Sequence, residues 1–152
     1  MITIITNGRL LDCIGNEPLE NASVVIEDGV IREAYPGEKS VPGGATIIDV
    51  GGKTIMPGLT DAHEHPTGTE LSPEKVRTES LLYKVLGMKG NLERTLQAGF
   101  TTIRDAGGAH WSVKQAVEDG LIKGPRLLIA CGVLSTTGGH GDPNLHGEQV
   151  FH

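Results

Sequence analysis

The chain has 152 residues, of which 38% are hydrophobic and 21% charged, and its formal net charge is −6. This length suits one domain, or a small domain with part of a larger one, and the apolar content is too high for a disordered chain. No Lys/Arg cluster points to nucleic acid, and no apolar run is long enough for a signal peptide or a membrane helix. Cys13 and Cys131 form no CxxC motif and no disulfide framework, so we expect a reduced, cytoplasmic location.

The first 56 residues are predicted to form a small β-sandwich domain. Six short segments are rich in strand-forming residues: 2–5, 9–12, 22–27, 30–34, 46–50 and 53–55. Asp28-Gly29 stands between two of them and is a strong signal for a two-residue type I′ hairpin turn. None of this region has helical spacing, and several short strands separated by turns are typical of a sandwich.

From residue 57 onward, predicted strands alternate with predicted helices. Strands are expected at 59–62, 100–104 and 126–130. The first helix is predicted to begin at Ser72, as N-cap, and to end before Gly99. Its apolar positions are Leu82, Val85, Leu86, Leu92 and Leu96, and Gly87 and Gly90 in its middle suggest a kink or two helices. A second helix is predicted to begin near Ser112. The resulting βαβαβ order implies parallel strands.

Each predicted strand of this region ends in polar residues. His63 and His65 follow the first, Arg104 and Asp105 end the second, and His140 and Asp142 come in the loop after the third. Chemistry in parallel α/β folds gathers at the carboxyl ends of the strands, so these residues are candidates for one site. Glycine pairs, among them Gly107-Gly108, indicate tight turns or close approaches of the backbone.

His63 and His65 are predicted to bind a metal ion together. Residues two apart on a strand point to the same side, so both imidazoles can reach one ion while Glu64 points the opposite way. Imidazole nitrogen is a good ligand for Zn²⁺. The tripeptide alone fits two surface histidines near a turn as well as it fits a metal site. Its position at the end of a strand favours the metal site. We interpret Asp61, on the side of His63, as structural, and Glu64 as facing the helices or the next strand.

Several other polar and aromatic residues can be interpreted from the sequence, some in two ways and others only as structural or solvated residues. Arg104 and Asp105 either contact a substrate or form a buried ion pair. Trp111 is expected to be a packing residue, Cys131 a buried small apolar residue in the third strand, and His110 a solvated loop histidine.

The run Lys53-Thr54-Ile55-Met56-Pro57-Gly58-Leu59-Thr60-Asp61-Ala62-His63-Glu64-His65 resembles the first-strand signature of the amidohydrolase superfamily. Residues 98–105 and 124–142 are similar to later stretches of the branch that holds imidazolonepropionase-like proteins and Xaa-Pro dipeptidases. The resemblance implies an α/β fold: strands 1–3 of a metal-dependent (β/α)₈ (TIM) barrel over residues 57–152, preceded by a composite β-sandwich domain over residues 1–56.

The resemblance also implies a site and a reaction. His63 and His65 would be ligands of a site that holds one or two divalent metal ions, expected to be zinc. His140 would contact the substrate or polarise its carbonyl. A metal-activated water would attack an amide or peptide bond. The bridging Lys or Glu, two more His and the general acid/base Asp belong to strands 4–8, so no catalytic residue is expected within this chain.

Residues 57–152 supply less than half of the roughly 250 residues that a (β/α)₈ barrel takes. We therefore expect an incomplete barrel, from a truncated gene record or a split protein, that is inactive and poorly stable alone. The expected partner is a small-molecule or dipeptide substrate, such as an Xaa-Pro dipeptide or an N-acyl amino acid, with no nucleic acid and no membrane. The full-length protein is a candidate homo-oligomer. The alternatives are a non-catalytic metal-binding scaffold and a cyclic-amide hydrolase such as an imidazolonepropionase.

Overall fold

The chain divides into two compact units, Met1–Pro57 and Gly58–His152. A computed structural model describes residues 1–15, 17–37, 43–68, 80–137 and 139, with the side chain of residue 81 excluded. None of the helices in these ranges is long and apolar enough to cross a membrane.

The first unit is built around a central strand. Its strands are β1 (Ile2–Leu10), β2 (Leu19–Glu27), β3 (Val30–Pro36), β4 (Thr46–Asp49) and β5 (Thr54–Ile55). They form one five-stranded sheet in which β1 pairs antiparallel with β2 and parallel with both β4 and β5. The segments predicted as separate strands at 2–5 and 9–12 belong to a single strand, because β1 continues through an irregularity between Ile5 and Gly8.

The turn between β2 and β3 confirms the hairpin prediction. Glu27 pairs with Val30, so only two residues connect the strands. Asp28 has φ 50° and Gly29 has φ 78°, and positive φ at both central residues is the mark of a type I′ turn.

The core of the first unit lies on β1 and β2. Leu10, Ala22 and Val24 are buried together, and Ile5, Ile26 and Ile55 pack against them. The described part of this unit forms one sheet, so the second layer of the predicted sandwich stays a prediction.

The second unit confirms the predicted βαβαβ order. Its elements are β6 (Leu59–Glu64), α1 (Leu81–Gln97), β7 (Phe100–Asp105), α2 (Trp111–Glu118) and β8 (Arg126–Ile129). The three strands are parallel and follow one another in the sheet as β6-β7-β8. The carboxyl ends of β6, β7 and β8 therefore lie at one edge.

Helix α1 differs from its prediction in continuity and in the face that it buries. It begins after Ser80, whose side chain accepts a hydrogen bond from the Tyr83 N–H, while the predicted cap at Ser72 lies outside the described residues. The helix runs unbroken through Gly87 and Gly90, so these two glycines do not divide it into two helices. Its end is confirmed, because the Gly99 N–H bonds the Leu96 carbonyl and Gly99 has φ 95°.

The core of the second unit joins both helices to the sheet. It consists of Met88, Leu92, Ile103, Val113 and Leu127. Of the predicted apolar face of α1, only Leu92 is fully buried, whereas Leu82 and Leu86 are 77% and 70% exposed. Burying a side chain of this size contributes about 1.5–3 kcal/mol, so α1 is held to the sheet mainly by Met88 and Leu92.

A hydrogen-bonded carboxylate in the first unit gives a pH-dependent test of this fold. Asp49 Oδ1 accepts from the Gly51 N–H at 2.8 Å and from Asn7 Nδ2 at 2.9 Å. These two donors, the Gly51 N–H first, lower the pKa of Asp49 below its ordinary value of 3.8. Because the folded pKa is the lower one, the bonds stabilise the fold above the unfolded pKa, and this is lost as the pH falls through the folded pKa.

Substituting Asn7 by Gly is expected to raise the pKa of Asp49 only partway, since the Gly51 N–H remains. Glycine suits the site because Asn7 has φ 56°. NMR titration of the carboxyl resonances measures the effect. Asp12, whose pKa is lowered by the N–H groups of Ile14 and Gly15, is the internal reference and should not move. An unchanged Asp49 titration in Asn7→Gly would contradict the assignment.

Candidate metal centre

The site is built where β6 and β7 end side by side. Glu64 pairs with Asp105, and the Ala106 N–H continues the ladder by donating to the Glu64 carbonyl at 2.9 Å. Asp61 pairs with Ile103, so three steps along β6 match two along β7, which is a β-bulge. Such bulges re-aim side chains, and this one spans the backbone of His63 just before His65.

His63 and His65 lie next to each other, as the sequence pattern predicts. Their ring centroids are 5.4 Å apart and the rings are nearly perpendicular, at 77°. Two imidazoles on one tetrahedral ion, each nitrogen about 2.0–2.1 Å from the metal, have ring centroids about 5 Å apart. The separation of the two rings is therefore close to the one that a shared divalent ion requires.

The His65 ring is held by a hydrogen bond from its own nitrogen. His65 Nδ1 lies 2.8 Å from the Gly107 carbonyl oxygen. A carbonyl can only accept, so Nδ1 carries the proton in this contact, and the neutral ring then keeps its lone pair on Nε2. This arrangement, in which one nitrogen donates to a carbonyl and the other is free to bind metal, is usual for metal-ligating histidines.

The segment that supplies this carbonyl is tightly constrained. Gly107 and Gly108 have φ 142° and 112°, a region that L-residues with side chains rarely adopt. A Cβ at Gly107 would collide with the Val133 side chain, and one at Gly108 would lie 2.7 Å from Thr67 Oγ1. The Gly108 N–H also donates to the Cys131 carbonyl at 3.1 Å. The backbone at the glycine pair thus lies close to neighbouring residues, as the occurrence of two adjacent glycines predicts.

The Asp105 side chain is buried and the Glu64 side chain is half-buried at these strand ends. Glu64 Oε1 accepts from the Thr95 hydroxyl of α1 at 3.0 Å, so Glu64 faces a helix as predicted. Asp105 is 1% exposed, and its Oδ2 accepts from the Ala109 N–H at 3.2 Å. Within the described part of the chain, Glu64 Oε2 and Asp105 Oδ1 are buried without a hydrogen-bond partner.

Arg104 and Asp61 are placed by backbone contacts. The exposed Arg104 donates from Nε to the Ala62 carbonyl at 2.6 Å, while Asp105 is bonded to Ala109, and among the described residues the two form no ion pair. The buried ion pair offered as one reading is therefore wrong. Asp61 Oδ1 accepts from the His63 N–H at 2.9 Å, which is the structural role expected for it.

An open groove of about 800 Å³ lies at the strand ends of this unit. One part of its wall is polar, with His63, Arg104 and Asp105. The other part is apolar and comes from β8 and the residues after it: Leu128, Ile129, Ala130, Val133 and Leu134. His63 thus faces a space that can hold a small molecule, beside a surface suited to an apolar group.

Of four sequence interpretations in this region, those of Trp111 and Cys131 are wrong, that of His110 is confirmed and that of His140 is not tested. Trp111 is 57% exposed and contacts the His110 ring rather than filling the core. His110 is exposed, as expected, and as the N-cap of α2 its side chain also accepts from the Ser112 N–H. Cys131 is exposed, because β8 ends at Ile129 and the chain has turned by residue 131. His140, the predicted substrate contact, lies outside the described residues.

Two histidines do not complete a metal cage. In the ranges that the structure describes, no three His, Cys, Asp or Glu side chains converge on one point. A tetrahedral catalytic site takes three protein ligands and leaves one position open, so further ligands would have to join His63 and His65.

The fold and the paired histidines define a parallel α/β unit of the kind found in metal-dependent hydrolases. Residues 54–150 match the model of the amidohydrolase family, so the chain belongs to that family. Members of the family hydrolyse carbon–nitrogen bonds and are generally metal-dependent.

Known proteins of this family align with nearly the whole chain. Ochratoxinase of Aspergillus niger is 36% identical over 149 residues, which is 93% of this chain and 30% of that protein. The structure of a prolidase complexed with N-methylphosphonate-L-proline is 40% identical, with a TM-score of 0.86 over 93% of this chain and 35% of its own. A Xaa-Pro dipeptidase with bound methionine is 28% identical, with a TM-score of 0.86 over 99% and 38%. The chain therefore spans about a third of the length of these relatives.

The contact between Thr95 and Glu64 provides a test of the buried frame. Replacing Thr95 by Val removes the described donor to the half-buried Glu64 carboxylate, which is expected to cost about 1 kcal/mol. Urea unfolding followed by the fluorescence of Trp111, the single tryptophan, measures the second unit. Thr95→Ser keeps the hydroxyl and is the matched control. Equal losses in the two variants would show that the hydrogen bond is not the cause.

Proposed function

We propose that the protein carrying this chain is a metal-dependent hydrolase of amide or peptide bonds, with His63 and His65 as two of its metal ligands. The observation that carries the proposal is the imidazole pair at the end of β6, with ring centroids 5.4 Å apart and the His65 ring held through Nδ1. Zinc is the preferred ion, because it accepts imidazole nitrogen in a tetrahedral set with one position open.

The residues of this chain have distinct roles in the proposed site. A bound divalent ion would supply a water of lowered pKa and polarise the scissile carbonyl. The Gly107 carbonyl orients His65, and Asp61 holds the backbone of His63. The groove beside His63 receives the substrate, with its apolar wall excluding water from one side of the scissile bond.

We propose that β6, β7 and β8 are the first three strands of a (β/α)₈ barrel, and that residues 1–56 belong to a composite sandwich domain. The parallel order β6-β7-β8 and the relatives, which are about three times longer, support this. Strands 4–8 of such a barrel would supply the remaining ligands and the general acid/base Asp. The 152-residue chain alone is therefore expected to be inactive.

The proposed substrates are Xaa-Pro dipeptides or N-acyl amino acids. The similarity to a prolidase and to a Xaa-Pro dipeptidase supports this choice. The groove supports it as well, because its polar and apolar walls suit a molecule with a charged end and an apolar side chain. His140 is proposed as a substrate contact on the resemblance of its loop to this branch.

The metal assignment is tested in a polypeptide of the relatives' length that contains this chain. His63→Ala and His65→Ala are each expected to remove most of the bound zinc, because each deletes one of the few ligands. Metal content after dialysis is the measurement. His110→Ser is the matched control, since it removes an imidazole but keeps a good N-cap, and its zinc content should equal that of the wild type. Unchanged zinc in both alanine variants would reject the ligand assignment.

The substrate class is tested by comparing kcat/KM for the same zinc-loaded polypeptide on three groups of compounds. Xaa-Pro dipeptides and N-acyl amino acids are expected to be cleaved at least about 100-fold faster than imidazolonepropionate, since a shape and polarity mismatch of about 3 kcal/mol has that effect. The reverse order would assign the protein to the cyclic-amide hydrolases. Zinc binding without turnover of any of the three would favour the non-catalytic scaffold.

A further inference from the structure

We propose that Asp105 is a positioning residue that selects the tautomer of His65 through the segment 106–109. Its buried carboxylate holds this segment so that the Gly107 carbonyl stays at the His65 ring. The inference rests on the proposed function only in that it treats His65 as a metal ligand, because the tautomer itself can be measured without metal.

The first link joins Asp105 to Ala109. Asp105 Oδ2 accepts from the Ala109 N–H at 3.2 Å, and the two residues are 1% and 0% exposed. The bond closes a turn across the three residues between them, directly after β7 ends. Because both ends are buried, water does not compete for this contact, and the turn is fixed at the edge where β6 and β7 meet.

The second link joins the turn to His65. Gly107 and Gly108 would be the most flexible residues of this turn in an unconstrained chain, since glycine loses the most backbone entropy on ordering. Asp105 offsets part of that cost by bonding the far side of the turn. The carbonyl of Gly107 then lies 2.8 Å from His65 Nδ1 and can accept only when Nδ1 carries the proton.

The result is a histidine prepared for metal before metal arrives. With the proton on Nδ1, the lone pair of His65 is on Nε2, and no tautomer change is needed on binding. Loss of a hydrogen bond that orients a metal-binding histidine typically lowers metal affinity by about 10- to 100-fold. Asp105 also lines the groove, yet its role here requires only Oδ2, so a side chain with one acceptor oxygen should serve as well.

The test compares Asp105→Asn with Asp105→Leu, which have nearly the same size and differ in whether an oxygen can accept from Ala109. The readout, in the metal-free polypeptide of the relatives' length that contains this chain, is the pair of ¹⁵N chemical shifts of the His65 ring at a pH where it is neutral. The wild type and Asp105→Asn are expected to show a protonated Nδ1 and a bare Nε2. Asp105→Leu is expected to show a mixture of tautomers. The His63 ring is the internal reference.

Thr95→Val is the matched control, because it removes a hydrogen bond of the neighbouring half-buried carboxylate and leaves the turn intact. It should not change the His65 tautomer. A folded Asp105→Leu chain with the wild-type tautomer would overturn the proposal, and so would an equal change in Thr95→Val. If Asp105→Leu does not fold, Gly107→Ala displaces the same carbonyl by collision with Val133, and an unchanged tautomer there would equally overturn it.

Zinc titration of the longer polypeptide separates this proposal from the proposed function. Asp105→Leu is expected to bind zinc about 10-fold more weakly or worse, and Asp105→Asn within about twofold of the wild type. If His65→Ala binds zinc as the wild type does, the ligand assignment fails whatever the tautomer shows. If His65→Ala loses zinc but Asp105→Leu keeps both affinity and tautomer, only the role of Asp105 fails.

Discussion

The parallel pairing of β6 with β7 is the constraint on which the site depends. It sets Glu64 against Asp105 and lets the ladder continue from Ala106 to the Glu64 carbonyl. The chain segments that follow the two strands are therefore side by side, and the His65 ring meets the Gly107 carbonyl. A one-residue slip in this pairing would turn side chains to the opposite face and separate the two groups.

The same pairing places two acidic residues at paired positions, of which Asp105 is buried and Glu64 is half-buried. Each keeps one hydrogen bond, Glu64 from Thr95 and Asp105 from Ala109. Apolar residues of the same volume often stabilise a fold at least as well as buried charged groups do. The buried Asp105 and the half-buried Glu64 are thus poorly explained by stability alone. They are better explained by geometry: one ties β6 to α1, and the other ties the end of β7 to the turn behind His65.

The features that local chemistry controls were predictable from the sequence. The Asp28-Gly29 hairpin, the order of strands and helices after residue 57 and the nearness of His63 to His65 each follow from a turn signal or a short spacing. The buried face of α1 was not predictable in this way. Leu82 and Leu86 repeat with helical spacing as well as Met88 and Leu92 do, and only tertiary packing distinguishes the two sets.

The contacts made by backbone atoms were the least predictable part of the site. No sequence pattern says that the Gly107 carbonyl meets a histidine 42 residues earlier, although the glycine pair indicates a close approach of some kind. Cys131 shows the same limit, since its apolar neighbours suggest a strand that in fact ends at Ile129. Strand ends depend on pairing partners, which a short apolar run does not specify.

This chain supplies only two of the ligands that a metal site needs, and this limits how tightly it can bind an ion. Binding an ion through two imidazoles leaves at least one ligand position to other residues, so the affinity of the pair alone is far below that of a complete site. The features that orient His65, however, all belong to this chain: the bulge before His65, the glycine pair at positive φ and the buried Asp105. The orientation of the His65 ring therefore depends on contacts within this chain and not on the remaining ligands, which lowers the ordering cost of binding the ion.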